Sequence, residues 1–337
     1  MTVGKVAVVG TGTWGTASCC LVAPHADEVC LWARRESVAL GINRDHRNPS
    51  HLPGLQLPRN VHATSSLSDA LGDATDVIVA VPSAFVRATL TNAAPFLSSD
   101  VPILVLTKGM ERGTGLLMAD LVADVVGNVR RVAALSGPNH AEEVAEGKVS
   151  AAVIASPSPD VAEHFQSLIV SEAFRAYASD DLVGVEVCGA SKNVVAIAAG
   201  IAVGLGAGDN TLAALMTRGL AEMGRLSAAR GGDPLTCMGL AGMGDLVVTC
   251  TSRHSRNRSF GEAFARGESL ASYEERTGMV VEGAQAALSV WEMAHALNVE
   301  APITDAVHDL LYEGASLTDA IDSLLTRTPH VEFYGMV

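Results

Sequence analysis

Near its start the chain runs from Lys5-Val6-Ala7-Val8-Val9 straight into Gly10-Thr11-Gly12-Thr13-Trp14-Gly15, and small or apolar residues follow through Ala17, Cys19 and Leu21. A β-branched run, a Gly-x-Gly-x-x-Gly turn and a helix, in that order, restrict the fold to the strand-turn-helix unit of a parallel α/β sheet shaped to hold a dinucleotide. Each glycine answers a different steric demand. Gly10 lets the chain leave the strand in a tight turn, Gly12 removes the Cβ that would block a pyrophosphate, and Gly15 lets the helix pack close on the strand. The unpaired N–H groups of the new helix then face the phosphates, with the helix dipole behind them.

Which dinucleotide is decided at the tip of the next strand, Val29-Cys30-Leu31-Trp32-Ala33. NAD-specific folds end that strand in a carboxylate for the ribose diol, whereas this one runs into Arg34-Arg35, which suits a 2′-phosphate. NADP(H) is therefore favoured, and Glu36 just beyond keeps NAD(H) open.

Beyond this point apolar strands alternate with amphipathic stretches, at Val61–Thr64, Asp76–Pro82, Ile103–Thr107 and Val132–Leu135, which predicts a parallel, doubly covered sheet. Residues 39–57, with Asn48-Pro49 and Pro53-Gly54, read as an irregular loop beside the cofactor end, from which His51 would reach the nucleotide or simply meet water. A further βαβ portion covers 151–178. From Leu182 the pattern turns helical, at Leu182–Ala207, Thr211–Ala229, part of Leu235–Thr249, Ser259–Ala265, Val281–Leu297, Ile303–Leu311 and Leu317–Leu325. At 337 residues two domains are expected, a Rossmann domain over 1–185 and an α-helical domain over 186–337.

A formal charge of -14 argues against nucleic acid or an anionic membrane surface as partner, so an anionic substrate needs a local basic pocket. The six cysteines show no zinc spacing and read as reduced core residues; no metal is expected. Without a basic leader ahead of the first strand the chain reads as cytoplasmic. The most apolar stretch, Val194–Gly208, is too short and glycine-rich to insert in a membrane and reads as a buried helix.

Polar residues interrupt this apolar background at a few places. Lys108 in Thr107-Lys108-Gly109 and the segment Ser136-Gly137-Pro138-Asn139-His140-Ala141 lie at strand ends, where ligands of such sheets bind. Lys192 sits inside an apolar helix, either snorkelling outward or held in a pocket as a proton donor. Asp245, between glycines and an apolar run, caps the following turn or pairs with Lys192. The one dense basic segment, Arg253-His254-Ser255-Arg256-Asn257-Arg258, offers the forked charge and neutral donors that a phosphate monoester requires, or is a solvated loop.

Together with Glu186-Val187-Cys188-Gly189-Ala190-Ser191-Lys192-Asn193, Leu240-Ala241-Gly242-Met243-Gly244-Asp245-Leu246 and Val281-Glu282-Gly283, these stretches make the chain resemble bacterial NAD(P)-dependent glycerol-3-phosphate dehydrogenase. The resemblance implies a Rossmann domain followed by a 6-phosphogluconate-dehydrogenase-like helical domain, in a cytoplasmic homodimer that reduces dihydroxyacetone phosphate for phospholipid synthesis. It implies Lys192 as general acid/base, with Lys108, Gly137, Asn139, Asp245, Ser255, Arg256 and Asn257 around the phosphorylated triose. Thr13, Trp14, Arg34, Arg35, Lys108, Ala141, Arg256, Val280 and Glu282 would lie along the cofactor. Departures are small: Thr13 replaces a frequent serine, and Asn139-His140 stands where many members have Ser or Thr followed by Phe. A hydroxy-acid or polyol-phosphate dehydrogenase of the same architecture, or a non-catalytic dinucleotide-binding regulator, would share the glycine turn; the presence of Lys192, Asp245 and Arg256 together disfavours the regulator.

Overall fold

The computed structural model describes residues 3–278, 280–328, 331–332 and 334–335. The first apolar run is strand β1 (Val3–Val9), and the glycine turn leads into helix α1 (Thr13–Val22). The chain then alternates through β2 (Ala26–Trp32), α2 (Glu36–Asp45), β3 (Val61–Thr64), α3 (Leu67–Leu71), β4 (Asp76–Val79) and α4 (Val86–Ala93). It continues through β5 (Ile103–Val105), α5 (Met118–Val126), β6 (Val132–Ser136), α6 (Ala141–Ala145), β7 (Ser150–Ala155), α7 (Pro159–Ile169) and β8 (Phe174–Ser179). Among the described residues these strands form one sheet in the order β3-β2-β1-β4-β5-β6-β7-β8. The first six follow the order of a dinucleotide-binding sheet, with the crevice at the carboxyl end of β1.

The core of this sheet is Val6, Val8, Leu31, Ile78 and Leu104 from the strands, with Val38 and Ile42 from α2 and Phe165 and Leu168 from α7. The pairing is parallel from β3 to β6, but β7 runs antiparallel to β6 before pairing parallel with β8. A wholly parallel sheet, as the apolar runs suggested, is thus corrected at one point. The reversal falls at the connection through α6, after which the chain re-enters the sheet beside β6 in the opposite direction.

A second correction falls at 39–57, where only the latter part is irregular. Helix α2 reaches Asp45 and buries Val38, Ala39 and Ile42, and His46 closes it in the left-handed conformation at φ 46°. Gly41 and Asn43 disguised this helix in the sequence. So did its narrow apolar face.

The chain comprises two compact units, residues 1–108 with 116–182, and 109–115 with 183–337. The second is helical: α8 (Leu182–Gly204), α9 (Asp209–Arg230), α10 (Asp245–Thr251), α11 (Arg256–Ala265), α12 (Leu270–Thr277), α13 (Glu282–Ala296), α14 (Pro302–His308) and α15 (Leu317–Leu325). Of these, α12 was not expected from the apolar pattern. Helix α8 starts well before the stretch singled out at Val194. It is long and apolar enough to cross a membrane, with mean hydropathy 1.6, yet 78% of its most apolar window is buried inside the protein. It is apolar all round because neighbours cover it on several sides. Where α8 crosses α11 only glycine fits: a Cβ on Gly200 would lie 2.0 Å from the Arg258 carbonyl oxygen, and one on Gly261 2.2 Å from that of Ile197. This close crossing sets the start of α11 against the helix that carries Lys192.

Candidate active site

In the first unit the glycine turn has the geometry that its pattern demands. Gly10 has φ +121°, and a Cβ there would meet the Ala80 carbonyl oxygen at 2.7 Å. At Gly15 a Cβ would lie 1.9 Å from the Gly10 oxygen, so α1 docks on the turn only without one. Gly12 differs: no atom comes within 4 Å of its absent Cβ. That face is an open cradle at the N-terminus of α1. Thr13, Trp14 and Gly15 form the first helical turn, which contains no acidic side chain and precedes the bond from Thr16 N to Gly12 O at 2.9 Å. Its unpaired N–H groups and the helix dipole fit a diphosphate.

Arg34 and Arg35 emerge exposed just past β2, and the Arg35 guanidinium donates to Ser50 Oγ at 3.3 Å. His51 is exposed on the loop after α2, its backbone N–H donating to Asn48 Oδ1 at 3.1 Å. Asn48, fully buried, was not singled out from the sequence, where Asn-Pro reads as a turn. Its amide donates to Thr11 O at 2.9 Å and Thr16 Oγ1 at 2.7 Å, tying the loop to the glycine turn.

At the carboxyl edge of the same sheet, half-buried Lys108 donates to Gly137 O at 3.4 Å. Gly137 follows β6 at φ +150°, and Ala141 opens α6. Asn139 is 4% exposed, and its Nδ2 has no hydrogen-bond partner among the described residues. A buried amide without a partner is costly, and an oxygen of a bound molecule would satisfy it.

The second unit buries a charge pair. Lys192, 6% exposed on α8, donates to Asp245 Oδ1 at 2.7 Å and to Thr249 Oγ1 at 2.9 Å. Asp245, 2% exposed, is the first residue of α10, and a π-helical turn over Leu240–Gly244 delivers it there. Thr249 Oγ1 in turn donates to the Asp245 carbonyl at 2.6 Å. The sequence suggested the Lys192–Asp245 pairing, since each charge sits in an apolar run; Thr249 was missed, although it lies one helical turn beyond Asp245. With two protons engaged, the ammonium keeps a third N–H without a partner among the described residues.

Beside this pair, Asn257 donates through Nδ2 to Asn193 Oδ1 at 2.9 Å and accepts from Gly283 N at 2.9 Å. Ser255 caps α11 and accepts from Arg258 N at 3.3 Å. Arg256 occupies the first turn of α11, its guanidinium about half exposed and 3.9 Å from Glu282, which opens α13. Val280 is 55% exposed just before. The second unit therefore presents an exposed arginine next to buried amides, and a buried ammonium able to release a proton to a bound oxygen.

The family model described as NAD-dependent glycerol-3-phosphate dehydrogenase N-terminus matches residues 5–162, and its C-terminus counterpart matches 181–322. The chain is 47% identical over 330 residues to the glycerol-3-phosphate dehydrogenase [NAD(P)+] of Nocardia farcinica, covering 96% of this chain and 98% of that one. The Corynebacterium glutamicum protein of the same name is 44% identical, over 97% of this chain and 99% of its own. The crystal structure of glycerol-3-phosphate dehydrogenase from Coxiella burnetii superposes with a TM-score of 0.90 at 36% identity, covering 96% of this chain and 99% of that chain. This chain belongs to the NAD-dependent glycerol-3-phosphate dehydrogenase family and is an NAD(P)-dependent oxidoreductase.

Proposed function

We propose that the protein reversibly reduces dihydroxyacetone phosphate to sn-glycerol 3-phosphate, with NADPH preferred over NADH. The observation that carries the reaction is the buried Lys192 ammonium, oriented by Asp245 and Thr249 with one N–H to spare. When bound, the reduced nicotinamide supplies the hydride that the C2 carbonyl carbon accepts. Lys192 holds a proton at Nζ, stabilises the negative charge growing on the carbonyl oxygen and delivers the proton there. Asp245 keeps the ammonium aimed.

Arg256 is the phosphate ligand, its fork suited to a monoester, with Ser255 and Asn257 as neutral donors. Lys108, Gly137 and the unpaired Asn139 amide are the further substrate ligands of this reading. Gly10, Gly12, Thr13, Trp14 and Gly15 hold the diphosphate, Arg34, Arg35 and His51 the adenosine end. Lys108, Ala141, Arg256, Val280 and Glu282 complete the cofactor contacts. On this reading the unit of residues 1–108 and 116–182 is the dinucleotide domain and the helical unit the catalytic one. The same reading makes the protein a cytoplasmic homodimer, outside the membrane, that supplies glycerophospholipid synthesis.

The test is loss of reduced-nicotinamide absorbance with purified protein, in parallel with NADPH and NADH. Rapid oxidation with dihydroxyacetone phosphate and none with dihydroxyacetone is expected. Equal rates with both ketones would remove the phosphate site from the reading, and equal kcat/KM for the two cofactors would remove the preference.

A further inference from the structure

The loop after α2 is largely self-contained. Leu57 N donates to His46 O at 2.8 Å, Leu55 N to Leu52 O at 2.8 Å, and the Arg47 guanidinium to Gln56 Oε1 at 3.1 Å and to the carbonyls of Pro53 and Gly54 at 3.3 Å. Asn48 is where this closed loop grips the phosphate-binding turn. Its amide is saturated in both senses: Nδ2 donates to Thr11 O and Thr16 Oγ1, and Oδ1 accepts from Ser50 N at 2.9 Å and His51 N at 3.1 Å. One buried side chain thus sets the backbone of Ser50 and His51 relative to Thr11, which lies between the first two glycines of the motif. Ser50 Oγ in turn accepts from the Arg35 guanidinium at 3.3 Å, beside exposed Arg34.

Two arginines and a hydroxyl at the end of β2 are the donor set for a phosphate monoester at the adenosine ribose. We infer that Ser50 is a specificity-determining residue for the 2′-phosphate of NADP, and that Asn48 is the positioning residue that holds Ser50, and through it Arg35, in register with the diphosphate turn. The inference rests on the NADP preference proposed above and extends it from the arginine pair to the loop facing them. The neutral serine engages one Nη of Arg35 and leaves the rest of the guanidinium fork for an anion. A carboxylate at position 50 would occupy it.

The test is equilibrium binding of NADP+ and NAD+, which differ only in the 2′-phosphate, measured by calorimetry on the full chain, with steady-state kcat and KM for NADPH and NADH alongside. Asn48→Ala is expected to lower the NADP+ over NAD+ affinity ratio about tenfold, the loss of one charge-assisted hydrogen bond. Ser50→Glu should lower it further, and Ser50→Thr, which keeps the hydroxyl, should retain most of it. Parallel weakening of both dinucleotides in Asn48→Ala, or an unchanged ratio in Ser50→Glu, overturns the inference. Arg34→Ala/Arg35→Ala separates the two levels. If that variant abolishes the ratio while the Asn48 and Ser50 variants keep it, only the loop inference falls; if it leaves NADP+ affinity untouched, the 2′-phosphate reading falls and takes the inference with it.

Discussion

Lys192 and Asp245 are each costly where they stand, and each makes the other tolerable. Removing one member of such a pair leaves a buried charge without compensation, at about 3–5 kcal/mol. Lys192→Ala should therefore lower kcat by about a thousandfold, KM by no more than a few-fold either way, and stability as well. Adding Asp245→Asn should recover most of the stability and none of the turnover. Denaturation curves and steady-state rates on both variants check this; a single variant as stable as the parent would mean that Asp245 is not buried against the lysine in solution.

Glu222 offers a second test at this scale. Its carboxylate, 3% exposed on α9, accepts from Ile303 N at 2.5 Å and Thr304 N at 3.2 Å and so caps α14, while burial pushes its pKa from 4.5 up to about 7. The folded state holds this proton more tightly than the unfolded chain, so the stabilisation is full below pH 4.5 and is lost as pH rises through about 7. Thermal unfolding between pH 5 and 8 should show a steeper fall in the parent than in Glu222→Gln; identical slopes would rule out this group as the source. The two cases show what a single residue reveals. Lys192 and Asp245 were legible as partners because both interrupt apolar runs, whereas nothing in the sequence singled out Glu222, whose role appears only once α14 docks on it.

Among the elements, the glycine turn separates fold from ligand within a single motif. Gly15→Ala drives a methyl to 1.9 Å from the Gly10 oxygen and should cost both stability and dinucleotide binding. Gly12→Ala adds a methyl to open space in this structure. It should leave the melting temperature within a few degrees and still weaken NADPH binding at least tenfold, because the methyl would occupy the proposed diphosphate position. Fluorescence titration and melting curves decide it; equal losses of stability in the two variants would contradict the open cradle at Gly12. The strand-turn-helix unit was legible from its glycine motif, and the long helices α8, α9 and α13 from the length of their uninterrupted helical runs. Helix α2 and the reversal of β7 were not. The first depends on Ile42 finding the sheet, and the second on the direction in which the chain re-enters the sheet beside β6.

At the scale of the whole molecule, ligand binding should stabilise one unit first. At a hundredfold excess over its dissociation constant, NADPH should raise the unfolding free energy by about 2.7 kcal/mol. Hydrogen exchange should place the added protection at residues 10–16 and 46–51; protection confined to 183–337 would sink the placement of the dinucleotide on the glycine turn. What the sequence determined by itself was whatever local sterics and periodicity dictate: the glycine turn, the arginines after β2, the alternation of strand and helix, and the change to helices near residue 182. Its long motifs also carried the family resemblance. Tertiary structure alone decided which of the scattered polar groups meet. Gly115 O accepts from Arg230 at 3.0 Å within the helical unit, Asn48 reaches back to Thr11, and Thr249 completes the cradle of Lys192. These contacts join residues far apart in the chain, and their geometry follows from how helices pack, as where Gly200 and Gly261 let α8 and α11 cross, rather than from any local preference.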